Sequence, residues 1–242
     1  MIRIVYYIIL TYFLLGGVGF YFINRKKEHE IVRKSNIKFA TYFFIINILF
    51  FSIVLNPIAF QYLSFLIIGV GMFELFRLYY QSDYSHLWFY FISLLIYAML
   101  STGFLLFGTL RKELILFSFI VLSIFDSFSQ ITGQLFGRRK LLPKTSPNKT
   151  LGGFIGGGLI ATGSAFLLKS LYSESVLKLL ILTFGIVFFA FAGDLAASFY
   201  KRKFNVKDYS NLIPGHGGFL DRFDSLIAAG AWVAFSVYVL NF

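Results

Sequence analysis

Residues 87–109, LWFYFISLLIYAMLSTGFLLFGT, form a stretch of 23 positions without one charged side chain. A bilayer core of about 30 Å is crossed by about 20 apolar residues in helical conformation. This stretch therefore predicts a transmembrane helix, and seven further apolar stretches along the chain predict seven more. The predicted spans are 2–23, 38–55, 58–76, 87–109, 114–136, 151–171, 178–200 and 219–240. The fold class that follows is all-α, a polytopic transmembrane helical bundle of about eight spans.

The composition agrees with a chain that lies in a membrane. Hydrophobic residues make up 58% of the 242 positions and charged residues 14%, whereas a soluble domain carries about 25% charged residues. The absence of Cys excludes disulfides, thiolate metal sites and a cysteine nucleophile. The net charge of +11 comes from short loops between apolar spans. That placement indicates anionic lipid or phosphate partners, and not nucleic acid.

The distribution of basic residues predicts the orientation of the helices. Sixteen of the 22 lie in the first, third, fifth and seventh loops, and five lie at the N-terminus and in the even loops. Because positively charged loops stay in the cytoplasm, the odd loops are predicted to be cytoplasmic and both termini to lie outside. We expect two groups of four spans, an N-terminal group over 1–113 and a catalytic group with the functional loops over 114–242.

Four aspartates mark a candidate site in the cytoplasmic half of this bundle. Asp126 and Asp194 fall inside predicted spans, where a carboxylate costs about 3 kcal/mol and usually has a function. Asp221 and Asp224 open the last span on one helix face. The residues leave structural alternatives open, because Asp221 and Asp224 also complement a helix N-terminus, and Asp126 also suits an interhelical hydrogen bond.

Two loops add the features of a phosphate site. Residues 137–150, GRRKLLPKTSPNKT, combine cations and hydroxyl groups ahead of a glycine-rich helix start, and residues 214–218, PGHGG, allow backbone amides to approach a ligand. Carboxylates alone repel phosphate. Carboxylates and basic loops together therefore imply a bridging divalent cation.

Residues 198–224, SFYKRKFNVKDYSNLIPGHGGFLDRFD, resemble the signature of the phosphatidate cytidylyltransferases, the CDP-diacylglycerol synthases. Tyr200 is the one mismatch, since an aliphatic residue or Phe is usual at that position. Residues 146–150, SPNKT, are similar to the Ser-Pro-Lys-Lys-Thr stretch of the same family. The resemblance covers about 126–225, and the first four spans share only their hydrophobicity.

The resemblance implies a bacterial plasma (inner) membrane enzyme that converts CTP and phosphatidate to CDP-diacylglycerol and pyrophosphate and requires Mg²⁺. The metal ligands that it implies are Asp194, Asp221 and Asp224, with Asp126. The implied catalytic residues are Lys201, Arg202, Lys207, Asp208, His216 and Arg222. The implied nucleotide-binding residues are Ser146, Lys149, Thr150, Ser198, Gly217 and Gly218.

Two departures from the family pattern bear on this expectation. Gly152 stands where the family usually has an acidic residue, and Ser129-Gln130 replaces an Ala-Tyr pair. The alternatives are a CTP-dependent polyprenol or lipid kinase, a catalytically degenerate paralogue that only binds, and a cation transporter. The sequence also leaves a homodimer open.

Overall fold

A computed structural model describes residues 28–214 and 217–242 throughout, together with 5–7, 9–11, 13–14, 17–18, 21 and 25. The continuously described stretches, 28–214 and 217–242, contain seven α-helices and one β-hairpin, and the described residues from 5 to 21 are also helical. The helices are α1 (His29–Leu55), α2 (Pro57–Gln81), α3 (Leu87–Phe107), α4 (Lys112–Phe136), α5 (Leu151–Leu167), α6 (Val176–Lys203) and α7 (Leu220–Tyr238). The hairpin strands are β1 (Lys140–Leu142) and β2 (Ser146–Thr150), and a 3-10 turn covers Lys169–Leu171.

The helices confirm an all-α membrane protein. Within the described part of the chain, five segments are long and apolar enough to cross a bilayer: Ser35–Leu55, Ile58–Gln81, Leu87–Phe107, Lys112–Phe136 and Val176–Lys203. Helix α5 is apolar but shorter, and α7 is not among the five. Much of the predicted span 2–23 lies outside the described residues. The total of eight spans and the division at residue 113 therefore stay predictions.

Three helix starts follow from local capping chemistry. The Asn56 side chain accepts a hydrogen bond from the Ile58 amide at 2.9 Å, and Pro57 occupies the first turn of α2. The Thr150 hydroxyl accepts from the Gly153 amide at 3.1 Å at the start of α5. The Ser175 hydroxyl does the same for the Lys178 amide of α6 at 3.3 Å. Each side chain satisfies an amide that has no partner inside its helix.

The hairpin between α4 and α5 was not predicted. Its strands pair antiparallel, with Leu142 opposite Ser146. From the sequence alone this stretch, residues 137–150, is interpreted as a loop. Strands of three and five residues are too short for a period of two to be recognised. Pro147 in β2 cannot donate to a ladder, which suits the edge of a two-stranded sheet.

Glycines let the helices approach closely around the interior. A Cβ atom at Gly157 of α5 would lie 2.8 Å from the Ser129 backbone nitrogen of α4, and one at Gly193 of α6 would lie 2.8 Å from the Asp224 carbonyl oxygen of α7. A Cβ atom at Gly103 of α3 would lie 2.8 Å from the Cβ atom of Ala231 of α7. Helix α7 is thus enclosed by α6 and α3, which places its first turn in the interior.

We expect Gly157→Ala to lower the free energy of unfolding by about 1–3 kcal/mol, because the added methyl group meets the backbone of α4. Gly163→Ala is the matched control, since a Cβ atom there has no neighbour within 4 Å. Thermal unfolding in detergent measures both variants. Equal transition temperatures for the two variants would show that the close α4–α5 contact does not limit stability.

Candidate active site

Ten of the sixteen predicted site residues line one cavity of about 1100 Å³. Helices α4, α6 and α7 and the hairpin contribute its polar wall, so the three helices that carry the aspartates do enclose a common space. The predicted residues that line it are Asp126, Ser146, Lys149, Thr150, Asp194, Lys201, Asp208, Asp221, Arg222 and Asp224. A cavity of this size accommodates a nucleotide or a lipid headgroup.

The same cavity has an apolar wall. Phe39, Ile46 and Leu49 of α1 and Phe119 and Leu122 of α4 line it. Hydrocarbon is stabilised against such side chains, while the polar wall suits an anion. A ligand with a charged head and an apolar tail matches both walls.

Lys149 and Asp194 form an ion pair on the polar wall. The pair joins the end of the hairpin to α6. The Lys149 Nζ atom also lies 4.9 Å from the centre of the Phe191 ring, an arrangement in which the ring face attracts the cation. The Asp194 side chain is 39% exposed and the Lys149 side chain 17%, so the carboxylate remains accessible from the cavity.

Lys201 and Asp221 form a second ion pair, which is more deeply buried, with the Asp221 side chain 3% exposed. The other oxygen of Asp221 accepts hydrogen bonds from the Tyr209 amide at 2.9 Å and the Gly218 amide at 2.8 Å. The Lys201 Nζ atom lies 5.2 Å from the centre of the Tyr209 ring. Asp221 therefore connects α6, α7 and the loop between them.

Asp224 lies where α6 and α7 touch. The close approach at Gly193 brings Asp194, the next residue of α6, beside the first turns of α7. The Asp224 Oδ1 atom accepts from the Ser225 amide at 2.7 Å. Two carboxylates on touching helices therefore face one cavity.

The donor chemistry of this wall fits a hard divalent cation. It offers carboxylate and hydroxyl oxygens, which Mg²⁺ prefers. In the described part of the chain, no three His, Asp or Glu side chains are close enough to form a metal site on their own. Mg²⁺ commonly binds through one or two carboxylates and the substrate phosphates, so a sparse protein ligand set is compatible with it.

Several predicted residues lie near the cavity without lining it. The Ser198 hydroxyl donates to Asp194 at 3.4 Å. Arg202 donates from Nε to the Thr145 carbonyl at 3.3 Å and from Nη1 to the Val206 carbonyl at 3.0 Å, so it links the hairpin to the loop after α6. Lys207 is exposed on that loop. His216 lies outside the described residues.

Glycine is required at Gly217 and Gly218, the two described glycines of the PGHGG segment. Gly217 has a φ angle of +87°, a backbone conformation that residues other than glycine rarely adopt. The Ile213 amide donates a hydrogen bond of 2.9 Å to the Gly217 carbonyl. A Cβ atom at Gly218 would lie 2.8 Å from an Asp221 oxygen and 2.9 Å from a Glu74 oxygen. Gly218 is therefore packed closely against two carboxylates.

Tyr209 anchors the start of this loop. Its hydroxyl donates to the Ala197 carbonyl at 3.2 Å. Burial, reinforced by the carboxylates of Asp224 and Asp221, raises the pKa of the Tyr209 hydroxyl well above its usual value. The group therefore stays protonated at neutral pH and keeps its role as a donor.

Glu74 of α2 is a site residue that the sequence analysis missed. It is fully buried and accepts hydrogen bonds from Ser210, Phe219 and Leu220 around the start of α7. The rule that singled out Asp126 and Asp194, a carboxylate inside an apolar span, applies to Glu74 equally, since it falls in the predicted span 58–76. Tyr200, the signature mismatch, uses its hydroxyl for a 2.8 Å bond to the Leu75 carbonyl.

The two departures from the family pattern have different surroundings. A Cβ atom at Gly152 would lie 2.9 Å from the Phe136 carbonyl oxygen and 3.3 Å from the Gly137 Cα atom. The backbone thus leaves no room there for an acidic side chain. Gln130 lines the cavity and presents an amide to it.

An apolar helical bundle around paired lysines and carboxylates defines an integral membrane protein with a site for a phosphate-bearing ligand. The family model of the cytidylyltransferase family matches residues 84–240. The chain belongs to this family, whose members are nucleotidyltransferases. The match begins after α2, so Glu74 lies in front of it.

Individual relatives agree with the family match. The chain is 34% identical over 234 residues to the phosphatidate cytidylyltransferase of Rickettsia felis, a match that covers 90% of this chain and 99% of the relative. It is 41% identical over 136 residues to that of Staphylococcus saprophyticus, covering 54% and 52%. It is 43% identical over 122 residues to that of Haemophilus influenzae, covering 48% and 42%. The last two matches span about half of each relative's length.

Proposed function

We propose that this protein transfers CMP from CTP to phosphatidate, giving CDP-diacylglycerol and pyrophosphate in phospholipid biosynthesis. The observation that carries the proposal is the cavity with two kinds of wall, one of lysine–carboxylate pairs and one of apolar side chains. The names of the relatives support the same reaction.

The reaction needs alignment and charge neutralisation more than a protein base. A phosphate monoester has a second pKa of about 6, so the lipid phosphate is largely dianionic at neutral pH and is itself the nucleophile. One of its oxygens forms a bond to the α-phosphorus of CTP, and the bond from that phosphorus to the bridging oxygen of the β-phosphate breaks. Pyrophosphate leaves with the electron pair.

The basic residues supply most of the neutralisation in this proposal. Lys149, Lys201 and Arg222 reach the cavity and would contact the phosphates. Arg202 and Lys207 would contribute from the neighbouring loop, with Asp208 in the catalytic set. The nucleotide would lie against the remaining binding residues, which are Ser146, Thr150, Ser198, His216, Gly217 and Gly218. Thr150 contributes indirectly as well, because its hydroxyl caps α5.

Asp194, Asp221 and Asp224, with Asp126, would hold Mg²⁺. When bound, the ion neutralises the charge that develops on the phosphate oxygens. Asp194 is a more available ligand than Asp221, since its side chain is 39% exposed and that of Asp221 is 3% exposed.

The position of the label in CTP tests the proposed reaction. With purified protein, Mg²⁺ and phosphatidate, we expect α-labelled CTP to label the lipid and γ-labelled CTP to release labelled pyrophosphate. A lipid labelled only from the γ position would identify a CTP-dependent kinase. Bound nucleotide without transfer to any of a panel of lipid phosphates would identify a degenerate paralogue.

We further propose eight spans, both termini outside and the cavity open to the cytoplasm of a bacterium, in its plasma (inner) membrane. The cavity is lined by the hairpin, by the C-terminal halves of α4 and α6 and by the first turns of α7. These elements flank the fifth and seventh predicted loops, which are rich in basic residues, and this supports a cytoplasmic opening.

Cysteine labelling checks the orientation, because the chain has no Cys of its own. Asn148→Cys in β2 is expected to be shielded from a membrane-impermeant thiol reagent in intact cells and to react after permeabilisation. Glu174→Cys, between α5 and α6, is expected to react in intact cells. The reverse pattern would overturn the proposed orientation.

A further inference from the structure

Glu74 is a buried carboxylate without an ion-pair partner among the described residues, and the proposed reaction does not use it. It lies in α2, a helix of 25 residues whose window for crossing a membrane is strongly apolar, and it is 0% exposed. A carboxylate in such a place is costly unless its oxygens are satisfied.

The partners of Glu74 are all uncharged donors from the loop between α6 and α7. Its Oε1 atom accepts from the Ser210 hydroxyl and from the Phe219 amide, the latter at 2.8 Å. Its Oε2 atom accepts from the Leu220 amide at 2.6 Å. One side chain of α2 thus holds both ends of the segment 210–220, which contains the PGHGG glycines.

Glu74 also replaces the missing N-cap of α7. Phe219 precedes the helix in helical conformation and has no side chain that can cap it. The first amides of a helix need acceptors, and a negative charge there is favourable with the helix dipole. Glu74 supplies both the acceptor oxygens and the negative charge, from a position more than 140 residues earlier in the sequence.

Two carboxylates, Asp221 and Glu74, lie close to Gly218 and bind the backbone around it. Asp221 binds the Tyr209 and Gly218 amides, and Glu74 binds Ser210 and the next two amides, Phe219 and Leu220. Asp221 is in turn paired with Lys201, and both of these residues line the cavity.

We infer that Glu74 is a positioning residue, which fixes the loop 210–220 and the first turn of α7 so that the nucleotide meets a preformed site. The role assumed for the nucleotide rests on the proposed function. The positioning role of Glu74 requires a side chain that only accepts hydrogen bonds, because Ser210, Phe219 and Leu220 all donate to it.

Glu74→Gln tests the inference with little change in size. One amide oxygen can keep the Ser210 and Phe219 bonds, but the amide nitrogen then faces the Leu220 N–H, donor against donor. We expect the KM for CTP to rise about tenfold or more and the KM for phosphatidate to stay within about twofold. A protein that is only partly folded would instead show a lower apparent kcat with both KM values unchanged. Glu74→Asp, which keeps the charge, is expected to recover part of the loss.

Hydrogen exchange provides a readout that does not depend on activity. In Glu74→Gln the amides of 209–220 are expected to exchange about tenfold faster or more, while those of α3 keep their rates. Ser64→Ala in the same helix is the matched control, because the Ser64 hydroxyl bonds only within α2, to the Phe60 carbonyl at 2.9 Å.

Unchanged loop exchange together with an unchanged KM for CTP in Glu74→Gln would overturn the inference. Faster exchange throughout the protein would overturn it as well, since the effect would be general destabilisation. Faster exchange confined to the loop supports it even if the wild-type protein transfers no CMP, in which case the proposed function alone fails.

Discussion

Asp194→Asn and Asp224→Asn are each expected to lower kcat for CMP transfer by about a thousandfold, with the protein still inserted and purified normally. The reason is electrostatic. A carboxylate that helps to hold a divalent cation contributes several kcal/mol to stabilising the charge in the transition state, and each 1.36 kcal/mol is tenfold in rate. The two side chains face the same cavity from touching helices, so neither can easily replace the other.

Glu174→Gln is the control for these variants, because it makes the same carboxylate-to-amide change at a distant ion pair. Glu174 pairs with Lys178 four residues later on the helix at 3.2 Å, and both side chains are more than a third exposed. Such a pair contributes less than about 1 kcal/mol to stability, and we expect the rate to stay within about twofold. Near-normal rates for Asp194→Asn and Asp224→Asn at saturating Mg²⁺ would remove these residues from the site.

Lys201→Met is expected to lower the free energy of unfolding by about 3–5 kcal/mol, because it leaves the buried Asp221 carboxylate without its cation. Adding Asp221→Asn to Lys201→Met is expected to restore most of that stability. The amide oxygen can still accept from Tyr209 and Gly218, and no buried charge remains. CMP transfer should stay low in both variants.

Unfolding in detergent, followed by heat or denaturant, measures this cycle. Glu174→Gln breaks the exposed pair with Lys178 and serves as the control, with an expected effect below about 1 kcal/mol. If the double variant were as unstable as Lys201→Met alone, the pair would not be the reason for the loss.

The sequence predicted most of the helices because length and hydropathy decide them. Stretches such as 87–109 and 178–200 became helices Leu87–Phe107 and Val176–Lys203 with boundaries within a few residues. The hairpin escaped prediction, since strands of three and five residues are too short to show an alternating pattern.

The site was predictable where charge interrupts an apolar helix, and less so where partners come from far along the chain. Asp126, Asp194 and Asp224 reached one cavity as their positions in the spans suggested. That both oxygens of Asp221 have protein partners was not predictable, because Lys201, Tyr209 and Gly218 meet it only through the fold. Glu74 itself was predictable by the rule that found Asp126 and Asp194, but its three partners were not, because they follow more than 130 residues later.

The distance in sequence between Glu74 and its donors has a consequence for biogenesis. A ribosome adds about 5–20 residues per second, so the 146 residues that separate Glu74 from Leu220 take about 7–30 s to synthesise. During that interval the Glu74 carboxylate of α2 is already made, but the groups that donate hydrogen bonds to it in the folded protein have not yet been synthesised. The nascent chain must therefore satisfy the Glu74 carboxylate with water or with other polar groups until α7 arrives, and the completed bundle then holds it through the Phe219 and Leu220 amides.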